Sequence, residues 1–189
     1  MSETNKVKFG LKNVHYAVIT VGDDGKVSFA TPVRIPGAVN LSMDAAGEQT
    51  KFYADDMAYY VSDTNDGYSG NLEVAQIPDS FRKDVLCEEL DESAKVLTEN
   101  AEKEHKPFAL LFEFDGDKKA TRHVMYNCAA GRPAVSSGTR SNTKEPVTES
   151  MSLTASPLAS GLVKAKTTAE TTVETYDSWY TKVWQPAAE

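Results

Sequence analysis

At 189 residues, 40% of them hydrophobic and 25% charged, the chain reads as one domain, long enough to bury a core without disulfide or metal staples. The formal net charge of −8, from 28 Asp and Glu against 20 Lys and Arg, excludes a nucleic-acid binder of the usual sort, which neutralises phosphates with clustered basic residues. No apolar run approaches the roughly 20 residues that span a bilayer, which argues against membrane insertion. The opening Met1-Ser2-Glu3-Thr4-Asn5-Lys6 lacks the apolar centre of a secretory leader. Cys87 and Cys128 therefore read as free structural thiols in a reducing compartment.

Residues 1–13 read as an N-terminal arm. Val14 to Val21 alternate as a strand covered on both faces, and Gly22-Asp23-Asp24-Gly25 turns it into a hairpin partner at Lys26 to Ala30. Two or three strands are expected between Val33 and Asp63, and another from Asn71 to Ile77. Pro78 ends that strand and opens a helix capped by Asp79 or Ser80, with Phe81, Val85 and Leu86 as its apolar stripe. Glu88 to Lys106 is a charged loop with a small strand at Lys95 to Leu97. Phe108 to Asp115 is the clearest core strand, because Phe108, Leu110, Phe112 and Phe114 share one face. Asp115-Gly116-Asp117 then turns the chain into a long return strand, Lys118 to Ala130.

Residues 131–146 show no apolar periodicity and read as a mobile loop. Val147 to Ala155 alternates again, with Met151, Leu153 and Ala155 on one face and the neutral-polar Thr148, Ser150, Ser152 and Thr154 on the other. Leu162 to Thr168 is a further strand. Tyr176, Trp179, Tyr180 and Val183 have the spacing of a short amphipathic terminal helix, with a strand as the competing reading. The sum is a mainly β (α+β) chain: an antiparallel β-sandwich or barrel-like domain over residues 1–189, with one flanking helix and a short C-terminal helix.

The stretch Arg34 to Pro78 concentrates aromatics where turns are densest. Phe52, Tyr53, Tyr59, Tyr60 and Tyr68 lie among Ala46-Gly47, Asp55-Asp56 and Asn65-Asp66-Gly67. Thr50 to Asn71 is expected to project and pack against another copy of the chain or a partner through these aromatic side chains. The competing reading is that they complete the subunit's own core.

Motifs for chemistry are weak throughout. Asp63-Thr64-Asn65-Asp66-Gly67 lacks the Gly and Glu that a calcium loop would need at Tyr68 and Val74. Gly22-Asp23-Asp24-Gly25-Lys26 lacks phosphate-loop spacing. His15, His105 and His123 are scattered, and no Cys or Ser stands in a nucleophile motif. No catalytic, cofactor-binding or metal-binding residue is assigned, and no cofactor is expected.

Several blocks carry a family resemblance: NKVKFGLKNVHYAV, RIPGAVNLS, KFYADDMAYY, GYSGNLEVAQIPDSFRKDVL, KPFALLFEFDGDKKATRHVMYNC, VTESMSLTASPL, KAKTT and YDSWYTKV. Together they resemble the major tail tube proteins of long-tailed, non-contractile bacteriophages, particularly those of Gram-positive hosts. The resemblance implies a virion protein assembled in the host cytoplasm, without catalytic residues, on a β-sandwich-like fold with a flanking helix. It also implies hexameric rings stacked into a hollow tube around a tape-measure protein, bounded by tail-tip and tail-terminator proteins. Double-stranded DNA would then be passing cargo, and an acidic wall that repels phosphate suits a conduit. Three readings stand beside it: the inner tube of a contractile or tail-like particle, a non-catalytic immunoglobulin-like binding module, and a small β-rich enzyme.

Overall fold

Period-two alternation dominates the chain, and in the computed structural model, which describes residues 4–22, 25–139 and 146–187, it becomes antiparallel sheet. The sheet is nine-stranded. Its main path begins with β2 (Val27–Phe29) and β1 (Lys8–Val21), passes through β10 (Phe108–Gly116), β11 (Thr121–Ala130) and β12 (Glu149–Ala155), and ends with β7 (Gly67–Val74) and β4 (Ala38–Ala46). Two short strands sit off this path, β3 (Val33–Arg34) on β1 and β13 (Lys164–Lys166) on β11. Ile35 donates its backbone N–H to the Val14 carbonyl at 2.8 Å, and β4 returns against β1, so the sheet curls towards a barrel.

The curl encloses the first core. Val14 and Tyr16 of β1, Phe108, Leu110 and Phe112 of β10, Met151 and Leu153 of β12, and Leu72 and Val74 of β7 all meet there. Helix α1 (Asp79–Asp84) closes one end with Phe81, whose ring meets Tyr16 and Phe108 edge-on at centroid distances of 5.1 and 5.4 Å. Neither Asp79 nor Ser80 caps it. Pro78 occupies the N-cap and no side chain bonds to the first turn. Asp79 instead places its charge in that turn, where the helix dipole favours an anion.

A second core lies on the outer face. Ala109 and Leu111 of β10 and Val124 and Tyr126 of β11 are covered by Trp179 and Val183. The terminal segment is helical, as α2 (Val173–Asp177) followed by a 3-10 turn (Ser178–Tyr180). Thr172 caps α2 through its hydroxyl, which accepts from the Thr175 N–H at 3.3 Å.

Several boundaries differ from the expectation. The first strand begins at Lys8, so part of the expected 1–13 arm is sheet. Two register shifts, between Phe9 and Leu11 and between Lys12 and His15, break the alternation that would have announced it. Asn5 is also tied down, accepting from the Lys118 and Lys119 N–H groups at 3.1 and 3.0 Å. Four strands, not two or three, lie between Val33 and Asp63: β3, β4, β5 (Gln49–Ala54) and β6 (Met57–Asp63). The strand expected at Asn71 to Ile77 runs instead over Gly67–Val74. β10 continues through Gly116, so the expected Asp115–Asp117 turn falls later. The charged loop holds a minimal hairpin, β8 (Glu89–Leu90) on β9 (Leu97–Thr98). Of the expected loop 131–146, residues 131–139 carry neither strand nor helix, and 140–145 lie outside the described residues. Cys87 and Cys128 are free, and complete burial pushes the Cys128 thiol up to about 12.

Two polar groups in the sheet hold it to its cover. Glu113, nearly buried, accepts from Asn13 Nδ2 at 2.7 Å, Arg122 Nε at 3.1 Å and the Tyr180 hydroxyl at 3.1 Å. The Arg122 guanidinium also lies 3.7 Å from the Tyr176 ring centroid and donates to the Tyr176 carbonyl. His123 stacks on Phe112 at 5.1 Å. Burial, and then the charges of Lys166, Lys164 and Lys8, lower its pKa from 6.5 to about 4.

Two outcomes follow from this packing. Arg122→Met strands a buried carboxylate and costs about 3–5 kcal/mol of unfolding free energy, whereas Tyr180→Phe costs about 1 kcal/mol, both read by urea denaturation. Between pH 6.5 and about 4 the unfolded chain takes up a proton at His123 that the folded chain refuses. Stability therefore falls as pH drops through that window and levels below it. The loss is at most about 3 kcal/mol, reduced by the ring's remaining contact with water. His123→Phe flattens that part of the stability–pH curve.

Candidate functional site

Two surfaces are left over when the cores are built. The first is the outer face of β12, β7 and β4, which the terminal segment does not reach. Register aligns its outward side chains in three rows across the strands. Ser150 faces Glu73 and then Asn40, Ser152 faces Asn71 and then Ser42, and Thr154 faces Ser69 and then Asp44. All are exposed except the half-buried Glu73, which accepts a hydrogen bond from the Thr148 hydroxyl. The face holds hydroxyls, amides and two carboxylates, and no Lys or Arg. The period of two dictates this: Met151, Leu153 and Leu72, one residue out of phase, fill the core beneath. The expected hydroxyl face of residues 147–155 is thus present as Ser150, Ser152 and Thr154.

The second surface is the β5–β6 hairpin, a separate two-stranded sheet. Phe52 pairs with Tyr60 and Lys51 with Val61, and a register shift follows between Phe52 and Tyr53. Asp55 and Asp56 form the turn with φ of 52° and 57°, the left-handed pair that a tight hairpin of this twist requires and that Asp tolerates. Both faces of the hairpin are bare. Phe52, Tyr53, Met57, Tyr59 and Tyr60 are 60%, 64%, 61%, 69% and 62% exposed. They do not complete this subunit's core.

Tyr68 stands apart from the other four aromatics. It lies in β7, half-buried against the first core, and its hydroxyl accepts from Lys164 Nζ, which sits 4.3 Å from the ring centroid. Just before it, Gly67 roots the hairpin. With φ of +99°, a Cβ there would lie 1.9 Å from the Ala155 carbonyl oxygen, so only glycine lets the hairpin base press on β12.

The rest of the molecule offers little chemistry. No cluster of three or more His, Cys, Asp or Glu side chains able to hold a metal occurs among the described residues. No helix among them is long and apolar enough to cross a membrane. A cleft of about 550 Å³ is open and lies between β2 and the terminal segment, lined in part by Phe29, Val183 and Trp184. The aromatic density and turn signals marked the hairpin in the sequence. The contributions of β4 and β7 to the polar face were missed because their outward residues become a surface only once register sets them beside β12.

No curated protein sequence matches the chain. A solved structure, the tube-terminating cap of the anti-feeding prophage, is similar at 11% identity and a TM-score of 0.43, covering 89% of this chain and 97% of that one, a likeness too weak to bear on function. The model of a family described as phage tail tube protein matches residues 1–182, and the chain belongs to that family.

Proposed function

We propose that this chain is the structural subunit of a non-contractile phage tail tube, self-assembling into hexameric rings that stack into a hollow conduit. The tube encloses a tape-measure protein, ends at tail-tip and tail-terminator proteins, and later conducts double-stranded DNA into the host. Its place is the virion, after assembly in the host cytoplasm, and its work is mechanical rather than catalytic.

The observation that carries this reading is the β5–β6 hairpin. An isolated two-stranded ribbon is marginal in water. This one presents aromatics on both faces at 60–69% exposure, and burial against another subunit removes that surface from water. Phe52, Tyr53, Tyr59 and Tyr60 are the inter-subunit anchors, since buried aromatics dominate interface energies. Tyr68 supports them from the hairpin's base.

The polar face of β12, β7 and β4 lines the lumen in this reading. DNA carries one charge per roughly 1.7 Å of duplex axis, so a basic wall would hold it in a salt-dependent grip. A wall of Ser, Thr and Asn with Asp44 and Glu73 gives phosphates no lasting partner. β4, at the end of the sheet path, offers an edge that joining to a neighbouring subunit would satisfy.

Concentrated protein, or protein nucleated by tail-tip components, forms rings or hollow tubes in negative-stain images. A monodisperse monomer under both conditions by light scattering and microscopy rejects the tube reading. Tyr53→Ser with Tyr59→Ser abolishes polymerisation while the monomer still melts cooperatively. Replacing Ser152 and Asn71 with Lys leaves assembly intact but gives tubes that retain duplex DNA at about 0.15 M salt, where wild-type tubes release it. Equal retention by both places this face away from the lumen.

A further inference from the structure

The base of the hairpin lies beside a cluster of lysines. Strand register fixes this: Ala46 pairs with Gly67 where the hairpin departs, Tyr68 pairs with Ala155, Thr121 with Phe114, and Lys8 with Gly116. All of these mark the same end of the curled sheet, and Tyr68 binds Lys164 there. Lys166 pairs in register with His123, and Lys119 and Lys166 line one cleft of about 310 Å³ with Asn5 and Thr167. Lys8, Lys164 and Lys166 all press electrostatically on His123.

These lysines have no carboxylate of their own. Lys8, Lys119, Lys164 and Lys166 form no ion pair among the described residues. Of the nearby acids, Asp115 is engaged by Lys12 and Asp117 by the Lys6 N–H, while Glu170 lines a cleft with Lys166 without forming an ion pair to it. Three of the lysines sit instead on aromatic rings, at 5.2 Å for Lys8 on Phe114, 3.7 Å for Lys119 on Tyr176 and 4.3 Å for Lys164 on Tyr68. In a chain of net charge −8, a group of like charges left together is a cost unless something acidic covers it.

The hairpin has the complementary character. Residues 48–66 carry five carboxylates, Glu48, Asp55, Asp56, Asp63 and Asp66, against the single Lys51. None of the five forms an ion pair among the described residues. The exposed tyrosines beside them supply further ring faces of the kind these lysines already occupy.

We propose that the acidic, aromatic β5–β6 hairpin of one copy docks on the cluster of Lys8, Lys119, Lys164 and Lys166 in a second copy. This rests on the self-assembly reading above and adds the receiving surface to it. The contact is heterologous: each copy gives one hairpin and receives another, so it propagates through a ring or a stack instead of stopping at a pair. Acid against base also steers approach, which makes assembly salt-sensitive.

The test compares the wild type with Asp55→Asn/Asp56→Asn, which removes charge but keeps a residue that tolerates the left-handed turn, and with Lys119→Gln/Lys166→Gln. Each double variant raises the protein concentration needed for assembly by about tenfold, and combining all four changes raises it no further, because both sides act through one contact. Lys119→Arg/Lys166→Arg assembles like the wild type. Raising NaCl from about 0.05 to 0.5 M weakens assembly of the wild type and not of the neutralised variants. Unaltered assembly in either double variant, or losses that add in the quadruple variant while melting is unchanged, overturns the docking. Failure of the wild type to assemble at all rejects the self-assembly reading, and this contact with it.

Discussion

One sheet is asked to serve two solvents, and the rest of the molecule follows from where its outer face changes character. Over β10 and β11 that face is apolar: Leu111, Val124 and Tyr126 need a cover and receive it from Trp179 and Val183. Over β12, β7 and β4 it consists of hydroxyls, amides and carboxylates, and needs none. The terminal segment therefore stops where the apolar surface stops. It is fixed there by polar groups rather than by more burial: Trp179 Nε1 donates to the His123 carbonyl at 3.3 Å and the Tyr126 hydroxyl to the Trp184 carbonyl at 3.0 Å. Glu113 and Arg122 close the same seam.

The uncovered half is unusual only in its regularity. Isolated exposed polar residues are what any surface shows. Here the opposite phase of the same strands is buried core, so the choice of side chain on the wet phase is unconstrained by folding. Folding would tolerate Lys or Arg at these positions as readily as Ser or Asn. Their absence is therefore a property of the surface and not a demand of the fold.

How much could be read from the sequence depended on whether a strand's partner was local. β10 announced itself because Phe108, Leu110, Phe112 and Phe114 alternate without interruption, and β12 because Met151, Leu153 and Ala155 do so against Ser and Thr. The first half of β1 was hidden by its two register shifts and by Asn13, whose φ of 50° breaks the extended run. α1 was legible from Pro78 and Phe81, but its cap was misassigned because proline itself occupies that position. The aromatic hairpin could be suspected from composition. Whether its rings faced inwards was a matter of tertiary packing, and no local pattern carries that information. The lysine cluster was the least legible feature, since Lys8, Lys119, Lys164 and Lys166 come from three distant stretches of chain.

The pairing of β1 with β10 also sets a schedule. Lys8 to Val18 find their partners at Phe108 to Gly116, about 100 residues later in synthesis, and contacts of that separation slow folding. The hairpin at residues 49–63 emerges early, yet Gly67 at its root leans on Ala155, near the end of the chain. A growing chain therefore carries its stickiest element incompletely mounted for most of its synthesis. The β4–β7 pairing frames the base of the ribbon early, but the base is fully packed only when β12 arrives against Gly67.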